Sequence, residues 1–356
     1  MIESAAAAPA AVTLCLAGSG APIVVERQDS RIAATCRHRP LLSLHPDEAG
    51  RGAGPALVVD GATGDPAVDT RALAAIAEAV FGWEPEREGL RLALDPDEAL
   101  ARHLVAHGLA RPEAGAVCIR PETAMQRRDP WLADPHVPPY PLDYVTTGDR
   151  RHPSRPPKPE GLVYARHIPW LGEAVSFRAL TLADLPLFHR WMNDPRVAAI
   201  WSEAGSEAEH RAYLSALLAD PHMLPLIGCF GDRPFGYFEI YWAKENRIAP
   251  FYDAGDHDRG WHVAVGEDAF RGKAYISAWL PSLMHYLFLD DPRTERIVGE
   301  PAASHTQQIR NLDVSGFAKL KTFSFPHKRA MLVMLLRERF FGDRLWRPAA
   351  RAEEGR

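Results

Sequence analysis

The sequence predicts an α/β (α+β) protein whose main domain holds a mixed, partly antiparallel central sheet, preceded by a smaller N-terminal α/β domain and a proline-rich linker. Three observations predict it. At 356 residues the chain is too long for one average domain. Nine prolines crowd residues 129–160, where missing donors and fixed φ exclude a helix or an inner strand. Beyond residue 160, alternating strand-like patterns are interleaved with amphipathic helical ones. The expected divisions are an accessory domain over 1–128, the linker over 129–160, the main domain over 161–345 and a flexible tail over 346–356.

In the first segment, turn signals such as "DGATGD" separate two expected helices, near 70–81 and 96–107. Leu73, Ile76, Ala77 and Val80 fall at i, i+3, i+4 and i+7 and make one apolar face. His103 and His107 share a helix face at i, i+4, but no carboxylate pattern accompanies them, so no metal is expected. The linker should run extended, partly packed through Trp131, Tyr140 and Tyr144.

The main domain opens with the strand "VSFRAL". Thr181 and Asp184 then form a capping-box pattern that starts a helix running through Trp191. "AEHRAYLSALLAD" is a second amphipathic helix with Tyr213, Leu214, Leu217 and Leu218 on one face. "PLIGCFG" and "PFGYFEIYWA" form a hairpin about Gly231-Asp232-Arg233. The stretch "RGWHVAVGEDAFRGKAYISAW" reads as strand, turn and helix. "ERIVGE" is a strand, a helix covers 306–315 and stops at Gly316, and "KTFSFP" and "KRAMLVMLLR" close the sheet.

With 46% hydrophobic and 24% charged residues and a net charge of −5, the chain has a globular composition and no basic face for nucleic acid. Cys15, Cys36, Cys118 and Cys229 form no C-x-x-C pair, which excludes a zinc ribbon and a disulfide framework. The first residues lack the cationic region of a signal peptide, and no apolar run approaches the roughly 18 residues that span a bilayer. A soluble, cytoplasmic protein without membrane contact is expected.

Chemistry concentrates between residues 239 and 275. Arg271, Gly272, Lys273 and Ala274 precede a helix, where small residues admit a ligand to the backbone and the helix N-terminus favours an anion. Neither a P-loop nor a dinucleotide fingerprint is present. His262 sits in the preceding strand as a candidate general base, titrating near neutrality when unperturbed. In "EIYWAKENRIAPFYDAGDHDR", Trp242 and Tyr252 mix with Lys244, Glu245, Asp253 and Asp258, which suits an aromatic-walled pocket for a small zwitterion with an aliphatic tail.

Together these pieces resemble the GNAT acyltransferase fold. Gly272 and Ala274 fit its Q/R-x-x-G-x-G/A turn, although its first position is Ala269 here. The segments "RPPKPEGLVYAR", "RWMNDPRVAAIW", "LPLIGCFGDRPFGYFEIYWAKENRIAPFYDA", "DRGWHVAVGE", "HYLFLDDPRTERIVGEP" and "FPHKRAMLVML" resemble the siderophore-biosynthesis acyltransferases of the aerobactin-type N6-hydroxylysine acetyltransferase kind, over residues 155–341. The resemblance implies acyl transfer, most simply of acetyl, from acyl-CoA to the hydroxylated nitrogen of hydroxylysine, giving a hydroxamate. It makes acetyl-CoA or another acyl-CoA the cosubstrate, with other siderophore-assembly enzymes as partners. It assigns the base to His262 and the cosubstrate to Val263, Val265 and residues 271–274. The family places an acid and an asparagine soon after "EP". This chain reads Glu300-Pro301-Ala302-Ala303-Ser304-His305, leaving Ser304 and His305 as stand-ins. Alternatives are a GNAT enzyme acting on hydroxycadaverine, hydroxyputrescine or an aminoglycoside, and a catalytically silent CoA-binding protein.

Overall fold

The computed structural model describes residues 11–14, 21–48 and 55–347. It divides into two compact units, Met1–Pro135 with Ala165–Ala174, and His136–Tyr164 with Val175–Arg356. Chain order and spatial grouping therefore differ. Ala165 N–H donates to Trp131 O at 3.0 Å within the first unit.

The first unit contains an eight-stranded sheet. Its strands are antiparallel except where Leu57–Asp60 meets Leu90–Leu92. The expected helix near 70–81 spans Pro66–Trp83. Asp65 caps it by accepting from Ala67 N–H, and Pro66 begins it without sacrificing a hydrogen bond. Leu73, Ile76, Ala77 and Val80 are all buried, as their spacing requires. The second helix is shorter than expected, Ala99–Ala106. His103 and His107 stack at 3.9 Å, and no metal-binding group occurs among the described residues. Cys36, Cys118 and Cys229 are free thiols, while Cys15 lies outside the described residues.

Part of the proline-rich segment is a hairpin rather than an extended linker. Tyr144–Thr147 pairs with Arg150–Pro153 as a separate two-stranded sheet, a setting that tolerates proline because it has no inner strand. Trp131 is buried, whereas Tyr140 and Tyr144 are exposed, each at 38%.

The second sheet is formed by β1 (Leu162–Ile168), β2 (Glu173–Ala179), β3 (Met223–Phe230), β4 (Arg233–Trp242), β5 (Arg259–Val265), β6 (Arg296–Gly299), β7 (Ala318–Ser324) and β8 (Arg329–Leu336). Their order is β1-β2-β3-β4-β5-β6-β8-β7. The helices are α1 (Leu185–Met192), α2 (Pro195–Trp201), α3 (Glu207–Ala219), α4 (Lys273–Asp290), α5 (Thr306–Val314) and α6 (Arg337–Gly342). The Thr181–Asp184 capping box forms, opening a 3-10 turn that leads into α1.

β4 and β5 pair antiparallel along their length. β5 and β6 are parallel and pair only at Arg259↔Ile297 and Gly260↔Val298. From Trp261 onward β5 leaves β6, which opens a gap in the sheet. The expected tail starts too early: Trp346 is buried against Phe340 and Phe341, while residues 348–356 lie outside those described. Among the described residues no helix is long and apolar enough to cross a membrane.

Candidate active site

Side chains on a strand alternate between faces, and residues opposite each other on paired strands share a face. His262 is opposite Glu239, so Tyr237, Glu239 and Tyr241 of β4 project on its side. Both ring nitrogens are engaged. Nδ1 lies 3.0 Å from Glu239 Oε2, and Nε2 lies 3.0 Å from Glu300 Oε1 at the end of β6.

Each carboxylate has further donors. Glu239 Oε1 accepts from Tyr213 Oη of α3 at 2.5 Å and from Tyr237 Oη at 2.9 Å. Glu300 Oε2 accepts from Tyr241 Oη at 2.9 Å, and its Oε1 from Arg247 Nη2 at 3.1 Å. Lys328 donates to the Glu300 backbone carbonyl at 2.8 Å. Gly260 is required here: a Cβ would stand 2.2 Å from the Tyr241 ring, which must cross β5 to reach Glu300.

Burial opposes a charge on His262, but Glu300 and Glu239 outweigh it and raise the imidazole to about 9. Burial would raise both acids, yet the contact with His262 holds each of them low. At neutral pH the cluster rests as an imidazolium between two carboxylates. The expectation of a histidine titrating near neutrality is corrected accordingly, because a strand pattern cannot reveal its two acidic neighbours. The His262 side chain stays 24% exposed, while those of Glu239 and Glu300 are 5% and 1% exposed. It is the accessible member.

The missing acid after Glu300-Pro301 has a structural answer: Glu300 itself contacts the imidazole. Ser304 is exposed and His305 begins α5, and neither makes a recorded contact with His262. Two signals in the sequence could have pointed to the acids. Glu239 is the lone charge in "FGYFEIYW", and Glu300 ends an apolar strand before proline.

The turn after β5 gathers Arg271, Gly272, Lys273 and Ala274 at the start of α4. Gly272 has φ +105°, a conformation that glycine adopts without strain. Gly266 N–H donates to Phe235 O of β4, so alternate residues Val265 and Val263 turn their backbone groups to the other edge, where β6 has departed. Their carbonyls accept from Arg196 Nη1 at 2.9 Å and from Trp201 Nε1 at 3.0 Å.

The residues expected to wall a substrate pocket do not join His262. Trp242 has the opposite parity from Glu239 and Tyr241 and lies between two guanidinium groups, Arg155 at 4.3 Å and Arg259 at 4.0 Å. Arg155 grips Glu245 through Nε and Nη2, both at 2.5 Å, with the side chains 2% and 3% exposed. Tyr252 donates to Asp258, which also holds Arg296 and Gly255 N–H. Lys244 donates to Ala254 O, and the Asp253 carbonyl accepts from Arg296. The side chains of Trp242, Lys244, Glu245, Tyr252 and Asp258 are consumed in bracing the loop after β4, which explains much of its aromatic and charged content, whereas Asp253 contributes its carbonyl and is itself exposed.

Comparison with known proteins agrees with this architecture. The acetyltransferase (GNAT) domain family matches residues 181–325. A putative lysine N-acyltransferase of Schizosaccharomyces pombe is 43% identical over 229 residues, 64% of this chain and 68% of that protein. An N(6)-hydroxylysine O-acetyltransferase of Escherichia coli is 46% identical over 54% of this chain and 61% of its own length. An N(5)-hydroxyornithine:cis-anhydromevalonyl coenzyme A-N(5)-transacylase of Beauveria bassiana is 47% identical over 53% of this chain and 43% of its own. The chain thus spans less than two thirds of the last two relatives. The extent and identity of the first match, joined to the split sheet and the turn at the head of α4, establish that the chain belongs to the GNAT acetyltransferase family.

Proposed function

We propose that this protein transfers an acyl group, most simply acetyl, from acyl-CoA to the hydroxylated side-chain nitrogen of N6-hydroxylysine, forming a hydroxamate for siderophore assembly. The observation that carries the reading is His262, held between Glu239 and Glu300 beside the strand gap, with an anion-suited helix start after the same strand. The relatives named for hydroxylysine and hydroxyornithine support the acceptor class.

In this reading the pyrophosphate rests on residues 271–274, and the acyl end follows Val265 and Val263 toward the imidazole. Glu300 keeps Tyr241, Arg247 and Lys328 as partners when Nε2 leaves it, while Glu239 continues to hold Nδ1. Substrate nitrogen takes the place of Glu300 at Nε2. Losing that contact weakens the hold of Glu300 on the imidazolium, so its proton passes to solvent more readily and the neutral ring becomes a base. A hydroxylamine is a much weaker base than an alkylamine and arrives unprotonated. Its nitrogen forms a bond to the thioester carbon as the carbonyl π electrons move to oxygen. The nitrogen's proton passes to Nε2, and collapse breaks the C–S bond and expels CoA thiolate. Glu239 fixes the ring orientation throughout, as the acid of a histidine dyad does.

The test is to incubate the protein with acetyl-CoA and N6-hydroxylysine, measuring free thiol and the coloured ferric complex of a hydroxamate. Equal yields of both are expected. Thiol without ferric complex means transfer to the hydroxyl oxygen or to water and overturns transfer to nitrogen, and absence of both overturns the reading. N5-hydroxyornithine, suggested by the Beauveria relative, belongs in the same panel.

A further inference from the structure

Arg247 is placed unlike the other cations around the site. Its side chain is 48% exposed, although its Nη2 reaches the almost fully buried Glu300. Its guanidinium lies over Phe325 at 5.2 Å, and Lys328 Nζ lies over the same ring at 5.6 Å. Phe325 is itself buried and packed against Phe251, Phe323 and His327. One rigid aromatic ring therefore carries two cations, limiting the side-chain freedom lost when an anion binds.

The charge pattern supports an anionic ligand. The groups joined through the His262 cluster are two carboxylates, Glu239 and Glu300, against three cations, His262, Arg247 and Lys328. One positive charge is in excess, and Arg247 presents it to solvent. Only Nη2 of this guanidinium has a recorded hydrogen bond among the described residues, which leaves other N–H groups for a planar partner. Glu300 Oε1 stands 3.0 Å from His262 Nε2 and 3.1 Å from Arg247 Nη2, so the two nitrogens are within about 6 Å of each other. A lysyl chain covers that span between its side-chain nitrogen and its carboxylate.

We infer that Arg247, seconded by Lys328, reads the α-carboxylate of the acceptor, so that the substrate is a free N-hydroxy amino acid rather than an N-hydroxy diamine. The inference rests on the acyltransfer reading above and narrows its acceptor.

The experiment compares kcat/KM for N6-hydroxylysine, N6-hydroxylysine amide and N-hydroxycadaverine in the wild type, Arg247→Met and Lys328→Met. The wild type should favour hydroxylysine over both analogues, which lack the carboxylate, by about 10- to 100-fold, the range a charge-assisted hydrogen bond supplies. Arg247→Met should bring that preference to within about threefold of unity, with Lys328→Met reducing it less. The ratio isolates carboxylate reading, because damage to the His262 cluster lowers all three rates together. A wild type without the preference, or a ratio that both variants leave unchanged, overturns the inference. Hydroxamate formation from none of the three overturns the acyltransfer reading instead, a separate result.

Discussion

The two faces of the β4–β5 pair are built from the same residue types to opposite ends. On one face Tyr237, Glu239, Tyr241 and His262 form a hydrogen-bonded cluster whose histidine is still reachable from solvent. On the other, one residue further along β4, Trp242 is clamped between Arg155 and Arg259, and Arg155 is locked to Glu245. Aromatic and charged groups abound on both. What separates them is access and charge balance: the first keeps an exposed titratable member, and the second pairs its ions in the interior. Residue composition in this stretch therefore does not identify a site, but strand parity does.

The largest contrast should appear on deleting the titrating member. His262→Ala should lower kcat by roughly 10²–10⁴ with acyl-CoA affinity nearly unchanged, measured by steady-state kinetics and equilibrium binding. A residual rate within about threefold of wild type would remove His262 from the proton transfer. The opposite face should respond in stability instead. Trp242→Ala should destabilise the fold by about 3–5 kcal/mol in denaturant unfolding, while KM for hydroxylysine in the folded fraction stays within about twofold. Part of that loss comes from the packing of two buried guanidinium groups. Weakened hydroxylysine binding at unchanged stability would restore Trp242 to the pocket.

Local features were legible in the sequence. The Thr181–Asp184 box, the apolar face of the Pro66–Trp83 helix and the glycine turn before α4 each depend on neighbours a few positions apart. The partners of His262 do not. Glu239 and Glu300 are 23 and 38 residues away along the chain, and their approach depends on hairpin register and on the crossover through α4. The same limit explains Trp242. "YFEIYW" shows its alternation plainly, but which parity faces the histidine becomes known only when Glu239 is seen opposite His262. Arg155 was similarly hidden, since a proline-rich stretch gives no hint that one of its side chains is buried in the loop after β4.

The role of the two carboxylates is tested most directly by the pH dependence of kcat/KM in the wild type and in Glu300→Gln. A base must lose its proton before it can accept one, so with the free imidazole raised to about 9 the wild-type rate should climb with pH through that value. Removing the Glu300 charge takes away the largest influence favouring the imidazolium and leaves Arg247 and Lys328 beside it, so the midpoint should move to lower pH. A wild-type midpoint near the ordinary histidine value of about 6.5, or a midpoint that Glu300→Gln leaves in place, would contradict control of His262 by its acidic neighbours.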